Sequence, residues 1–238
     1  MQRTTAIIWL ALAALLCAPV RGEALTRPES SLGFPVGAEV AAGPPAQPRR
    51  GWDPWLVTRD GQPPVEQRFA ETFFKYMVTP GTEIDWRSFD ASRDADKLLT
   101  IATLLNATEP DLGRFRTRGG KILMYYGWAD PALNPLMGVG YYERVRSSMG
   151  PATSDFFRLF MAPGMFHCGG GVGPSPADPA TPLIDWVERG VAPDLLLAAR
   201  RRGDEVLRTR PLCPYPQVAK YKGSGSIDDA ASFACGTP

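Results

Sequence analysis

His167 and Asp130 are the two side chains whose positions in the sequence indicate catalytic chemistry. His167 is the only histidine in the chain. It lies in a turn rich in glycine and proline that follows the apolar run FFRLFM at 156–161, and Asp130 follows the apolar run KILMYY at 121–126. An aspartate that accepts a hydrogen bond from a histidine holds the neutral imidazole in the tautomer that a general base requires. The two residues therefore predict an acid–base pair.

Both residues are expected at one edge of a parallel sheet. The two apolar runs have the composition of buried strands, and residues 136–149 between them have the apolar spacing of a helix. A further helix is expected over 180–189, ended by Gly190. Apolar strands that alternate with helices are typical of a parallel sheet covered on both faces, so the predicted fold class is α/β. The pattern leaves one alternative open, a loop aspartate and an unrelated surface histidine.

Two more helices are expected upstream of these strands. Residues 67–77 have helical apolar spacing, and residues 94–105 read as a second helix that stops before the sequence NATEP. Trp52 and Trp55 precede both and mark the start of the packed part of the chain.

The amino-terminal residues predict export. Arg3 precedes an apolar run at 6–16 that is shorter than a membrane span requires, and small residues follow it. We expect a secretory signal peptide over 1–22 and an irregular Pro/Gly-rich arm over 23–50, and hence a secreted or periplasmic protein. An uncleaved anchor is the alternative. The leucine before Cys17 argues against a lipoprotein cysteine.

Removal of the signal peptide would leave three cysteines, Cys168, Cys213 and Cys235. An oxidising compartment permits disulfides, and an odd number allows one intrachain pair at most. Cys213 and Cys235 flank a loop rich in proline, glycine and aspartate, so we expect them to pair with each other. Cys168, next to the histidine, is then an unpaired thiol.

The composition fits one globular domain with a sizeable core. The 238 residues are 44% hydrophobic and 21% charged, and 26 lysines and arginines nearly balance 25 acidic residues, for a net charge of +1. This balance does not indicate a nucleic-acid partner or an acidic one. We expect no membrane association beyond export, and no protein partner is evident.

Several segments resemble the tannase/feruloyl esterase family. They are GGKILMYYGWADP at 119–131, FMAPGMFHCGGG at 160–171, DWVERGVAPD at 185–194, TRPLCPYP at 209–216, YKGSG at 221–225, FFKYM at 73–77 and NATEPDL at 106–112. The resemblance covers roughly residues 30–238. It implies that residues 51–118 are a helical segment derived from the family's lid, and that residues 119–238 are the C-terminal part of an α/β-hydrolase domain.

The resemblance implies a serine-type carboxylic ester hydrolase that acts on small aromatic esters, such as galloyl and feruloyl esters. Asp130 matches the triad acid and His167 the triad base, in the order in which α/β-hydrolases carry them. Cys168 matches a cysteine that in this family bonds to the residue beside the nucleophile. Many members bind calcium in the lid, but no Asp/Asn-rich run resembling that loop is found here. We therefore expect no cofactor and no metal.

The nucleophile of the implied triad is not identified. The sequence contains no Cys-Ser pair and no Gly-x-Ser-x-Gly. Ser30, Ser31, Ser88 and Ser92 lack the flanking glycines, and Ser147 and Ser148 lie on the helix between the acid and the base. We predict an ester hydrolase whose nucleophile is missing from this sequence, with activity of the chain by itself in doubt. The alternative functions are a non-catalytic secreted binding module and an inactive gene remnant.

Overall fold

The structure, a computed structural model, describes residues 55–57, 61–82 and 85–238. The predicted signal peptide (1–22) and arm (23–50) lie outside the described residues. Nowhere in the described part of the chain is a helix long and apolar enough to cross a membrane. The described residues divide into two compact units, one formed by residues 67–107 and one that contains residues 55–57, 61–66 and 108–238.

The unit of residues 67–107 is helical. Its elements are α1 (Val65–Phe73), which starts just before the unit does, a π-helical turn (Phe74–Val78), a 3-10 turn (Trp86–Ser88), α2 (Ala91–Asp94), a second 3-10 turn (Ala95–Leu98) and α3 (Leu99–Leu105). The sequence predicts two helices here, over 67–77 and 94–105. Both stretches are helical, and each changes helix type along its length.

Local hydrogen bonds and backbone angles accompany both changes of helix type. The amide of Thr79 donates to the carbonyl oxygen of Phe74, five residues back, at 3.0 Å, so the first helix ends in a wider turn. The second helix begins earlier than predicted, because the Asp90 side chain caps it by accepting from the amide of Ser92 at 2.9 Å. At Asp94 the backbone then leaves α geometry, with φ −108° and ψ 3°.

Asp94 is a buried carboxylate in this unit, with its side chain 6% exposed. It accepts hydrogen bonds from Nη2 of Arg93 at 2.7 Å and from the amide of Asp90 at 3.0 Å, and Nζ of Lys97 lies 2.9 Å away. The Arg93 guanidinium, the Asp90 amide and the Lys97 ammonium hold the pKa of the Asp94 carboxyl well below its usual range. One side chain thus joins the start of α2 to the turn that follows it.

We expect Asp94→Asn to lower the thermal midpoint of the 67–107 unit at neutral pH, because two cations and an amide lose a charged acceptor. The folded state lowers the pKa of this carboxyl. Its contribution is therefore present above the unfolded pKa of about 3.9 and is lost as pH falls through the folded pKa. Circular dichroism melts at neutral and acid pH measure the difference, which should shrink in acid. The exposed Asp96→Asn is the matched control, and equal losses in the two variants would contradict the prediction.

The other unit combines one parallel strand pair with antiparallel strands. Its elements are α4 (Gly113–Thr117), β1 (Ile122–Gly127), α5 (Pro135–Met149), β2 (Phe157–Ala162), β3 (Ser175–Pro176), α6 (Ala180–Arg189), β4 (Leu196–Arg202), β5 (Glu205–Leu212), β6 (Val218–Tyr221) and β7 (Phe233–Gly236). The pairings are β1–β2 parallel, and β3–β4, β4–β5 and β6–β7 antiparallel.

The β1–α5–β2 segment confirms the predicted strand–helix–strand order, with each strand one residue later than expected. The two strands pair in register from Ile122 opposite Phe157 to Gly127 opposite Ala162. α5 starts after Asn134, whose side chain accepts from the amide of Leu136 at 3.0 Å. The predicted helix over 180–189 is also confirmed, and Gly190 ends it in the left-handed conformation.

Burial on both faces explains why β2 is a continuous apolar run. On one face, Phe157, Leu159 and Met161 belong to a cluster with Tyr142 and Val145 of α5. On the other, Phe160 and Ala162 belong to a cluster that contains Met165, Leu196, Ala198 and Leu212. Each large apolar side chain buried in this way contributes about 1.5–3 kcal/mol. The strand that carries the histidine loop is therefore the centre of the core.

The antiparallel strands are absent from the sequence-based prediction, which assigned only two strands and was incomplete. In β4 only Leu196 and Ala198 are fully buried, and the strand ends in exposed arginines at 201 and 202. β5 is polar along most of its length and is buried only at Pro211 and Leu212. A strand with one covered face lacks the long apolar run by which β1 and β2 were found.

Candidate functional site

The loop that carries Asp130 begins where β1 ends and stays bonded to the neighbouring loop. The amide of Trp128 donates to the carbonyl of Ala162 at 3.0 Å, and the amide of Ala129 donates to the carbonyl of Met165 at 3.1 Å. Asp130 closes a turn with its own amide on the carbonyl of Gly127 at 3.3 Å. The backbone pairing of β1 and β2 thus continues past the strands to the two residues of interest.

Gly127 is required by this close approach. A Cβ at this position would overlap the carbonyl oxygen of Met165 and lie 2.8 Å from the carbonyl oxygen of Phe166. Any side chain larger than hydrogen would push the acid loop away from the histidine loop. The last residue of β1 therefore sets the distance between the two loops.

The histidine loop is a tight turn built on glycine. Met165 and Gly171 form an antiparallel bridge, and the amide of Phe166 donates to the carbonyl of Gly170 at 3.2 Å. Gly171 has φ +90°, and a Cβ there would overlap the carbonyl oxygen of Gly164. Backbone geometry that excludes side chains thus holds His167 at the tip of the turn.

The structure brings the two predicted residues together. Oδ2 of Asp130 lies 3.0 Å from Nδ1 of His167. Oδ1 of Asp130 accepts from the amides of Ala132 at 2.9 Å and Leu133 at 3.0 Å. Because a carboxylate only accepts hydrogen bonds, this contact requires the proton on Nδ1, which leaves the lone pair of a neutral imidazole on Nε2.

The two side chains differ in their exposure to solvent. The Asp130 side chain is 4% exposed, whereas that of His167 is 28% exposed. Three donors compensate the buried carboxylate, and the imidazole keeps an accessible edge. This arrangement can accept a proton from a group that approaches His167 from solvent.

Trp55 and Glu66 are additional neighbours of the pair that the sequence analysis did not identify. The Trp55 and His167 rings meet edge to face, with centroids 4.9 Å apart and planes at 76°. Burial raises the pKa of the Glu66 carboxyl, attraction to His167 opposes the rise, and the charge of Asp130 adds to it. The Glu66 carboxyl is therefore within electrostatic reach of both residues. Trp55 and Glu66 lie far upstream of Asp130 and His167 in the sequence, and no motif marks them.

The predicted cysteines take the following positions. Cys213 and Cys235 form a disulfide with a Cα–Cα distance of 5.6 Å and a sequence separation of 22. Cys168 is a free, exposed thiol beside His167, in the left-handed region at φ +59°. Within the described residues no cluster of three or more histidine, cysteine, aspartate or glutamate side chains could hold a metal ion.

The pKa of Tyr126 is raised by burial and by the nearby charges of the site. This tyrosine lies in β1, and its ring faces Gly138 of α5, where a Cβ would be 2.9 Å from the ring. Burial, Asp130 and Cys168 together raise the pKa of Tyr126 to about 12.

We expect Tyr126→Phe to remove the most alkaline step from the phenolate absorbance titration, and Tyr125→Phe, the neighbouring control, to retain it. Because the native state holds the Tyr126 proton more tightly than the unfolded chain does, this residue lowers stability as pH rises from about 10 to about 12. Denaturant melts across that range measure the effect. An unchanged alkaline step in Tyr126→Phe would contradict the assignment.

Comparison with known proteins extends these observations. The family model described as tannase and feruloyl esterase matches residues 27–236. A mono(2-hydroxyethyl) terephthalate hydrolase of Piscinibacter sakaiensis is 50% identical over 56% of this chain and 22% of its own length. An uncharacterized esterase of Xanthomonas campestris pv. campestris is 34% identical over 93% of this chain and 48% of its own length.

A solved structure from the same family is similar to this chain in fold. Feruloyl esterase B from Aspergillus oryzae is 28% identical, with a TM-score of 0.65, over 78% of this chain and 39% of its own length. The predicted α/β class, as a portion of an α/β-hydrolase fold, is confirmed. The chain spans about half or less of the length of these relatives. Because the family model matches most of the residues of this chain, the chain belongs to the tannase and feruloyl esterase family.

Proposed function

We propose that this protein acts in serine-type carboxylic ester hydrolysis, with His167 as the general base and Asp130 as the acid that orients it. The observation that carries the proposal is the 3.0 Å contact between Asp130 Oδ2 and His167 Nδ1, at the carboxyl ends of adjacent parallel strands. In this role His167 takes a proton from a hydroxyl nucleophile through Nε2 and later returns it to the leaving alkoxide.

The proposed substrates are small aromatic carboxylic esters. The support is that relatives bear names that refer to terephthalate and feruloyl esters and to tannin. These names describe the relatives, and a substrate panel of galloyl, feruloyl and terephthalate monoesters would assign the acyl group here. We also propose that the chain is exported, on the basis of its apolar amino-terminal run and the Cys213–Cys235 disulfide.

The nucleophile is proposed to come from a part of the protein beyond these 238 residues. Neither a Cys-Ser pair nor a Gly-x-Ser-x-Gly is found in the sequence, and the chain covers 22% and 48% of the two relatives described above. No described contact joins a serine hydroxyl to His167. The Asp130–His167 pair would then be the base component of a larger site.

The tautomer of His167 tests the proposal without any need for turnover. Because the chain has one histidine, a long-range nitrogen–proton correlation spectrum reports on His167 by itself. We expect the neutral ring to carry its proton on Nδ1. In Asp130→Asn the new amide can donate to Nδ1, so the proton should move to Nε2, the wrong tautomer for a base.

Asp178→Asn is the matched control, since Asp178 caps the turn before α6 by accepting from the amides of Ala180 and Thr181. It should leave the His167 tautomer as in the wild type. A wild-type ring protonated on Nε2, or an Asp130→Asn spectrum equal to that of the wild type, would overturn the base assignment.

A further inference from the structure

One hydrogen bond does not fix the orientation of the His167 ring. The contact to Asp130 restrains Nδ1, but the ring can still swing about this bond, and Nε2 swings with it. A general base must direct Nε2 at one hydroxyl, and a misplacement of about 1 Å can cost about 10²-fold in rate. A second contact on the ring is therefore needed.

The histidine loop itself offers few side chains for this purpose. Three consecutive glycines follow Cys168, and Gly170 and Gly171 both have positive φ. Cys168 is exposed. Support for the flank of the ring must come from another part of the chain.

Trp55 provides this support. Its indole meets the imidazole edge to face, at 4.9 Å between centroids and 76° between planes. This geometry is favoured for aromatic pairs, because the positive edge of one ring faces the negative face of the other. The contact restrains the tilt of the ring, which the hydrogen bond to Asp130 leaves free.

The Trp55 backbone is itself held in place. Its carbonyl oxygen accepts a hydrogen bond from the amide of Glu66 at 3.2 Å. Glu66 lies in the first turn of α1, where a carboxylate is favoured by the helix dipole, and its own charge interacts with His167 and Asp130. The turn at 55–57 and the start of α1 thus approach the acid–base pair together.

We propose that Trp55 is a positioning residue for His167: the edge-to-face contact of its indole sets the plane of the imidazole and covers one flank of it, while Asp130 sets the tautomer. The catalytic consequence rests on the proposed function, but the contact can be tested separately. No catalytic step is assigned to Trp55 itself.

Carbethoxylation of His167 by diethyl pyrocarbonate measures how well the ring is covered. The reaction is assigned without ambiguity, because the full chain, prepared without a tag, has a single histidine. We expect Trp55→Ala and Trp55→Leu to react about two- to tenfold faster than the wild type, the range that corresponds to an edge-to-face ring pair. Trp55→Phe keeps an aromatic ring at this position and should stay within about twofold of the wild type.

Proton spectra provide a second measurement, which reports whether the two rings are in contact in solution. The ring protons of His167 should lose the ring-current shift from Trp55 in the Ala and Leu variants and keep part of it in Trp55→Phe. The Leu and Phe variants are compared at matched thermal stability, so that a general loosening of the fold affects both equally. Trp86→Ala, which removes an indole that contacts Arg87, controls for the loss of a tryptophan.

The outcomes separate the two proposals. Faster reaction and lost ring-current shifts in Trp55→Leu, with Trp55→Phe close to the wild type, support the positioning role. A folded Trp55→Leu that reacts at the wild-type rate with unchanged His167 resonances overturns it. The tautomer of His167 in the wild type, measured separately, decides whether the base assignment stands.

Discussion

The 238-residue chain by itself should hydrolyse methyl gallate and methyl ferulate at least about 10⁶-fold more slowly than an intact serine esterase does. The reason is that loss of the nucleophile from a catalytic triad typically lowers kcat by that factor. His167 and Asp130 form the required contact, but a base without a nucleophile cannot form an acyl-enzyme. Oxyanion-hole donors, worth about 10²–10³ in rate for each donor, are not identified in the sequence either. Release of free gallate and ferulate, followed by chromatography over several days, measures the residual rate.

His167→Ala is the control for this experiment. A slow background reaction that is the same in the wild type and in His167→Ala fits the expectation. Robust turnover that disappears in His167→Ala would contradict it, since one of the serines in the chain would then be a working nucleophile. Alanine replacement of each serine in turn would then identify it.

Removal of the Cys213–Cys235 disulfide should lower the free energy of unfolding by about 3 kcal/mol, the chain-entropy value for a loop of this size. The two cysteines are 22 residues apart, and the loop between them contains β6. Cys213 is buried next to the end of β5, so the bond anchors β7 to the core. Urea melts of a Cys213→Ala, Cys235→Ala double variant measure the loss.

Cys168→Ala is the matched control for the disulfide. It removes an exposed thiol and should leave the urea midpoint unchanged, whereas chemical reduction of the wild type should reproduce the double variant. Equal stability of the wild type and the double variant would show that β6 and β7 hold the C-terminal region without the bond. Peptide mapping that joins Cys168 to either of the other cysteines would contradict the pairing itself.

The acid–base pair could be predicted because its local sequence carries the geometry. The strand β1 ends shortly before Asp130, and β2 ends shortly before His167. Because the two strands are parallel, their carboxyl ends lie at the same edge of the sheet. Gly190 likewise marks the end of α6, because its left-handed conformation is one that glycine adopts at little cost. In each case a few adjacent residues determine the structure.

Trp55 could not be predicted in the same way. Its contact with His167 joins residues 112 positions apart, and neither the turn at 55–57 nor the start of α1 matches a catalytic motif. The π-helical end of the predicted 67–77 helix, where both the amide and the hydroxyl of Thr79 donate to the carbonyl of Phe74, is signalled by no residue preference. Such features arise from tertiary contacts, and local sequence patterns do not contain them.

The glycine at the end of β1 controls the distance between Asp130 and His167, which lie far apart in the sequence. Gly127 lies against the carbonyl oxygens of Met165 and Phe166, so the acid loop and the base loop share one contact surface made of backbone. A substitution at this position would displace Asp130 and His167 from each other in one step, although it touches neither side chain. In genetic terms, a single codon outside the acid–base pair can produce the same loss as a mutation of either member.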